Sequence, residues 1–353
     1  MKCIYLQILK HNANDSSLAL ATVTGTSGST PQKPGSVALF NQSGLLSGTV
    51  GGGIIERKVQ NLAFNAIQSK LSGLYSFDLD KELSQDQEAV CGGKMNFLID
   101  ADPFLHLSIF EQIKHSFQEG IPGVLITNIL KESDQKFVIH RFWVTESRKN
   151  EFNVQELNEI IRGLLSGEKS KSTIEFYPSQ KQKTTCIILE LLQPPSKLII
   201  AGAGHIGKAL AHLARLIDFE VTVIDDRKEY ANSMFIPEAD NIIVDDIGTA
   251  MSQLRKTKNT YIAIVTHGHK GDAEALKSTI GTDAAYIGMI GSAKKIALIK
   301  KKSIDEGWAT AQQWEKIHAP IGLPINSESV EEIAISIAAQ LIEIRNHKQK
   351  HNG

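Results

Sequence analysis

Glycines at 202, 204 and 207 follow the apolar run Lys197-Leu198-Ile199-Ile200-Ala201 and precede apolar residues at helical spacing, Ile206, Leu210, Leu213 and Leu216. The spacing therefore places Gly202-x-Gly204-x-x-Gly207 between a strand and a helix, the context in which such glycines bring backbone amides to a phosphate. Gly202 permits the tight turn, Gly204 lets phosphate oxygens reach the backbone, and Gly207 lets helix and strand approach. The helix start at His205 and Ile206 adds partial positive charge. Asp225 lies 23 residues beyond Gly202 and ends the next predicted strand. A carboxylate there can accept ribose hydroxyls and repels a 2′-phosphate, whereas Arg227 can accommodate one. The expected ligand of this loop is a phosphate-bearing cofactor, with NAD(P), FAD and a pterin phosphate as the alternatives.

Other segments carry related chemistry. His267 and His269 follow the fourth strand of the same pattern, at the carboxyl edge where such sheets bind ligands. With Asp272 they have metal-ligand residue types, but the spacing matches no zinc motif, and contact with ligand or solvent is the expectation. Gly291 and Ser292 follow the fifth strand, where Ser292 can cap a helix and Lys294 can face an anion. Nearer the start, Gly51-Gly52-Gly53 precede a helix with Glu56 one turn in, exposing amides at a helix start. Gly28-Ser29-Thr30 and Cys91-Gly92-Gly93 form two further small-residue loops, and Cys91 is either a thiolate able to contact a metal or a buried inert thiol.

These loops need elements to hold them. A short amphipathic helix opens the chain, then β-branched runs at 17–25, 36–40 and 45–50 predict strands, and 54–70 a helix. A strand over 95–100, a helix over 104–118, a hairpin over 124–131 and 136–145, a helix over 154–165 and strands near 173–177 and 186–192 complete an α+β half. Gln193-Pro194-Pro195-Ser196 reads as the linker, because consecutive prolines donate no backbone hydrogen bonds. Beyond it, strands at 198–201, 220–225, 241–244, 261–266 and 285–290 alternate with helical patterns, which predicts a Rossmann-type, doubly wound parallel sheet. A last helix over 330–345 has Ser327 as its expected cap. The organisation expected is thus an N-terminal domain over 1–192, a linker over 193–196, a cofactor-binding Rossmann domain over 197–346 and a polar tail over 347–353.

Composition narrows the function classes. Lys and Arg total 38 against 39 Asp and Glu, which removes the basic excess that nucleic-acid binding requires. No run of about 18 apolar residues offers a membrane span. Three cysteines far apart draw neither a disulfide framework nor a zinc site, so the expectation is a soluble, cytoplasmic protein.

Taken together, Gly28 to Gly35, Gly48 to Glu56, Cys91 to Gly93, Gly202 to Gly207, Tyr286 to Ser292 and Pro320-Ile321-Gly322-Leu323 resemble the XdhC/CoxI family of xanthine dehydrogenase accessory proteins, in order and over nearly the whole chain. The resemblance implies an accessory factor rather than a catalyst. Such a factor binds the molybdenum cofactor, a molybdopterin with or without nucleotide, while its sulfido ligand is installed, then delivers it to a xanthine dehydrogenase-type enzyme. It also implies a cysteine desulfurase as partner; a dithiolene-bound molybdenum would suit a thiolate such as that of Cys91 as a metal contact, and the short linker allows the two domains to pair within one chain or across a homodimer. The competing reading is an NAD(P)-dependent oxidoreductase with His267 or His269 as proton donor. A complete xanthine dehydrogenase is disfavoured, since three cysteines cannot ligate its iron–sulfur clusters.

Overall fold

The computed structural model describes residues 3–11, 17–79, 93–133, 136–148, 155–167, 172–175 and 184–351. Internal contacts divide the chain between Pro194 and Pro195 into two units.

In the first unit, helix α1 (Ile4–Ile8) precedes strands β1 (Leu18–Gly28), β2 (Val37–Asn41) and β3 (Gly44–Gly48), helix α2 (Gly53–Ser69), and strands β4 (Gly73–Asp78) and β5 (Gly93–Asp100). A 3-10 turn over Pro103–His106 leads into α3 (Leu107–Gln118), the hairpin β6 (Gly123–Ser133) and β7 (Lys136–Thr145), α4 (Gln155–Ser166), β8 (Ser172–Glu175) and β9 (Thr184–Leu192). The strands form two antiparallel sheets, in the orders β3-β2-β1-β5-β4 and β7-β6-β9-β8.

Side-chain alternation explains why β1 is almost wholly apolar from Leu18 to Val23. Ala19, Ala21 and Val23 point to a core completed by Ile55, Val59, Ala63 and Ile67 of α2, while Leu18 and Leu20 point to a second core with Phe110, Ile113 and Phe117 of α3. A strand covered on both faces has no solvent side to make polar. Strand β4 is absent from the sequence-based expectation; it is a partly buried edge strand that only its pairing with β5 defines.

The second unit contains β10 (Lys197–Ala201), α5 (His205–Leu216), β11 (Glu220–Asp225), β12 (Asn241–Val244), α6 (Ile247–Gln253), β13 (Thr260–Ile264), α7 (His269–Lys277), β14 (Tyr286–Met289), α8 (Ala293–Asp305), α9 (Ala311–Trp314), β15 (Ile317–His318) and α10 (Val330–His351). All six strands are parallel, in the order β12-β11-β10-β13-β14-β15, as expected for a Rossmann-type sheet. Leu198 and Ile200 of β10 face one core with Leu210, Ala211 and Ala214 of α5, and Ile199 and Ala201 face the other with Met251, Leu276 and Ile299. The two-residue β15 is too short to announce itself in sequence.

The cap of α10 is Ser329, which corrects the expectation of Ser327. The Ser329 hydroxyl accepts the Glu332 amide at 3.2 Å, and the Glu332 carboxylate accepts the amides of Glu328 and Ser329. That reciprocal arrangement needs a three-residue separation, which Ser329 has from Glu332 and Ser327 does not. The helix runs on to His351, through the stretch that reads as a polar tail. Among the described residues, no helix is long and apolar enough to cross a membrane.

Candidate functional site

Strands β10 and β13 are neighbours whose crossovers leave in opposite directions, so the carboxyl edge between them is the switch point of the sheet. The loop after β10 is built by two glycines that the fold itself demands. Gly202 has φ +116°, and a Cβ there would lie 2.5 Å from the Val265 carbonyl oxygen. At Gly207 a Cβ would overlap the Gly202 carbonyl oxygen. Gly204 differs: its φ is −68°, and a Cβ would meet nothing within 4 Å. Among the described residues no neighbour requires that glycine, so what its missing side chain keeps clear is the approach to the amides of α5. No side chain caps α5, and Lys208 is the first residue whose amide bonds back, to Gly204 at 2.9 Å. His205 is exposed and Ile206 half-buried at this start.

Asp225 ends β11 beside this loop, yet it is 2% exposed and fully engaged. Its Oδ2 accepts the Ala203 amide at 2.7 Å and Arg227 Nη2 at 2.8 Å, and its Oδ1 accepts Arg227 Nε at 2.8 Å and the Arg227 amide at 3.1 Å. Burial raises the carboxyl pKa, but the Arg227 side chain and the two amides outweigh it and hold the value at about 2. The guanidinium of Arg227 also lies over the Tyr230 ring, 4.3 Å from its centroid. The segment that follows is fastened to successive turns of α5: Lys208 over Phe235, His212 to Glu238 at 2.9 Å, and Arg215 to Asp240.

On the other side of the switch point, Gly202 sits against Thr266. The Thr266 hydroxyl donates to Asp272 Oδ1 at 2.6 Å, and Asp272 Oδ2 is ion-paired with Lys295. His267 is exposed and His269 opens α7, whereas Asp272 is wholly buried and committed to these two partners. Ser292 caps α8 as expected, accepting the Lys295 amide at 3.3 Å, and Lys294 is exposed. Lys295 packs over Gly291 and is held by Asp272, whereas Lys294 stands exposed at the start of α8. Sequence spacing cannot signal the Asp272–Lys295 pair, because two different helices present it.

In the first unit, loops far apart in sequence meet. Gly28 pairs with Gly93 between β1 and β5, and a Cβ at Gly93 would lie 3.0 Å from the Ser29 carbonyl oxygen and 3.2 Å from Thr30 Cγ2. A Cβ at Gly51 would lie 2.9 Å from Pro31. Gly51, Gly52 and Gly53 have φ values of +139°, +69° and +54°, a run that only glycine adopts without strain. They lead into α2 with no side-chain cap, and among the described residues a Cβ at Gly52 or Gly53 would meet nothing within 4 Å. Glu56 turns back onto the loop, accepting the Thr49 hydroxyl at 2.8 Å, so it fastens the cradle rather than standing open within it. Cys91 and Gly92 lie outside the described residues.

Comparison with known proteins adds identity to this geometry. Residues 198–341 match the XdhC Rossmann domain, and residues 12–78 match the XdhC and CoxI family. A Bacillus subtilis protein whose name describes it as a probable xanthine dehydrogenase subunit is 27% identical over 334 residues, covering 92% of each chain. Escherichia coli "Uncharacterized protein YqeB" is 26% identical over 205 residues, which are 58% of this chain and 37% of that one. The crystal structure of a xanthine dehydrogenase from Bacillus halodurans has the same fold, with a TM-score of 0.70 at 23% identity over 97% of this chain and 95% of that one. With both of the family's domains matched in order on the two units described above, the chain belongs to the XdhC and CoxI family.

Proposed function

We propose that this protein is an accessory factor in the maturation of a xanthine dehydrogenase-type molybdoenzyme. In this reading it holds the molybdenum cofactor by its phosphate, protects it while a cysteine desulfurase supplies the sulfido sulfur, and hands it to the apo-enzyme in the cytoplasm. The observation that carries the reading is the meeting of the Ser29–Pro31, Gly51–Gly53 and Gly93 segments at the uncapped start of α2. Family membership and the relatives' names as xanthine dehydrogenase proteins support the same client.

The residues suit the group. A phosphate or pyrophosphate needs amides free of a cap and no side chain in front of them, and the uncapped start of α2 with open space among the described residues at Gly52 and Gly53 suits both needs. Amides of Gly51 to Gly53 would bind the phosphate, and Ser29 and Thr30 would border it. Glu56 and Thr49 would hold the loop in shape. When bound, the cofactor supplies a dithiolene-held molybdenum, for which a soft thiolate such as that of Cys91 is a suitable ligand.

The test is to purify the protein from cells that make the cofactor and measure bound molybdenum by mass spectrometry and bound pterin by fluorescence. The purified material is then used to activate cofactor-free xanthine dehydrogenase. Near-equimolar metal and pterin with transferable activity is the expected result; preparations free of both would overturn the proposal.

A further inference from the structure

At the end of β11 a dinucleotide-binding sheet ordinarily presents a carboxylate to the ribose hydroxyls. Asp225 occupies that position but has no capacity left. A carboxylate offers about four acceptor sites, and Ala203, Arg227 Nε, Arg227 Nη2 and the Arg227 amide take all of them. At 2% exposure it has no water to exchange for a sugar hydroxyl either.

The same four bonds leave Arg227 in the opposite condition. A guanidinium has five N–H donors; two go to Asp225, which leaves three without a partner among the described residues. The side chain is 27% exposed. Asp225 holds it on its edge and Tyr230 lies against its face. Through the Ala203 amide, the carboxylate that orients Arg227 also anchors the Gly202 loop. Loop and guanidinium are thereby held in one frame, with a cationic, multi-donor group standing where a diol reader would otherwise stand. A fixed guanidinium fork matches phosphate geometry, whereas to a neutral diol it offers donors only and no acceptor for the hydroxyl protons.

We infer that Arg227 is the specificity-determining residue of the Rossmann unit and that this unit takes a dinucleotide phosphorylated on its ribose 2′-oxygen, with Asp225 positioning Arg227 rather than reading the sugar. The inference concerns this unit alone and does not depend on where the molybdenum cofactor is held.

Calorimetry on the full chain with NADP+ and NAD+ as probes tests it. NADP+ is expected to bind at least about tenfold more tightly than NAD+, the increment of one charge-assisted hydrogen-bonded contact. Arg227→Gln alone would strand a buried carboxylate, so the informative variant is D225N/R227Q, which keeps the shape of the pair without its charge. In a folded D225N/R227Q protein, confirmed by its melting temperature, the preference for NADP+ should vanish. D226N, which removes the neighbouring exposed carboxylate, should leave the preference intact. Equal or tighter binding of NAD+, failure of both dinucleotides to bind, a preference that survives D225N/R227Q, or one that D226N abolishes would each overturn the inference. None of these outcomes bears on the molybdenum and pterin content that tests the accessory-factor proposal.

Discussion

Lys295, in the first turn of α8, is ion-paired with Asp272, in the first turn of α7; the aspartate side chain is 0% exposed and the lysine 14%. An acidic group suits a helix start and a cation opposes it, so Lys295 is held in an unfavourable place by Asp272. Lys295→Met should therefore destabilise the Rossmann unit by about 3 kcal/mol, because it leaves a buried charge unpaired. Asp272→Asn combined with Lys295→Met should recover most of that loss. Urea denaturation measures both, and a single variant as stable as the parent would show that the pair is not a buried one in solution.

Gly207 and Gly204 should respond in opposite ways. Gly207→Ala forces a carbon against the Gly202 carbonyl oxygen and is expected to cost about 3 kcal/mol. Gly204→Asp meets open space at an ordinary φ, so stability should stay within about 0.5 kcal/mol, while a carboxylate at the amide cradle repels a phosphate ligand. Unchanged ligand affinity in folded Gly204→Asp, read by calorimetry, would make the loop purely structural.

Two buried groups of the first unit should cancel in its pH dependence. Burial raises Glu190 to about 7, and its hydrogen bond from Tyr5 and the charge of Arg141 offset this only in part. Its stabilisation is complete below the unfolded pKa near 4.5 and is lost as pH rises through 7. His106 is lowered to about 4, by burial first and Arg141 second, so its contribution is lost as pH falls from 6.5 through 4. Between pH 4.5 and 6.5 the two slopes oppose each other. Glu190→Gln should unmask stability that rises with pH, by on the order of 3 kcal/mol across the window at about 1.36 kcal/mol per pKa unit. A flat profile in that variant would contradict the assignment.

The three thiols should differ in what they hold. Burial pushes Cys3 and Cys186 up to about 11, which leaves both protonated and poor metal ligands at neutral pH. Cys91→Ser is expected to lower the molybdenum retained on purification, with Cys3→Ser and Cys186→Ser close to the parent. Equal metal in all three would remove Cys91 from the site.

What could be read from the residues alone was local. The strand–glycine–helix pattern at 197–216, the alternating strands and helices that follow, and the Ser292 cap depend on contacts within a few residues, and periodicity and spacing encode such contacts directly. The edge strands β4 and β15 were not legible, because they exist only through their partners β5 and β14. Nor was the state of Asp225, whose position in the motif is that of a ribose reader but whose four acceptor sites are filled by groups that the turn folds back upon it. Sequence likewise places glycines at 28, 51 and 93, yet only the pairing of β1 with β5 and the φ angles at Gly51 to Gly53 bring these loops together. Residue type and spacing determine which groups are able to bind an anion. Which of them remain free to do so depends on long-range hydrogen bonds and close approaches that exist only once the chain has folded.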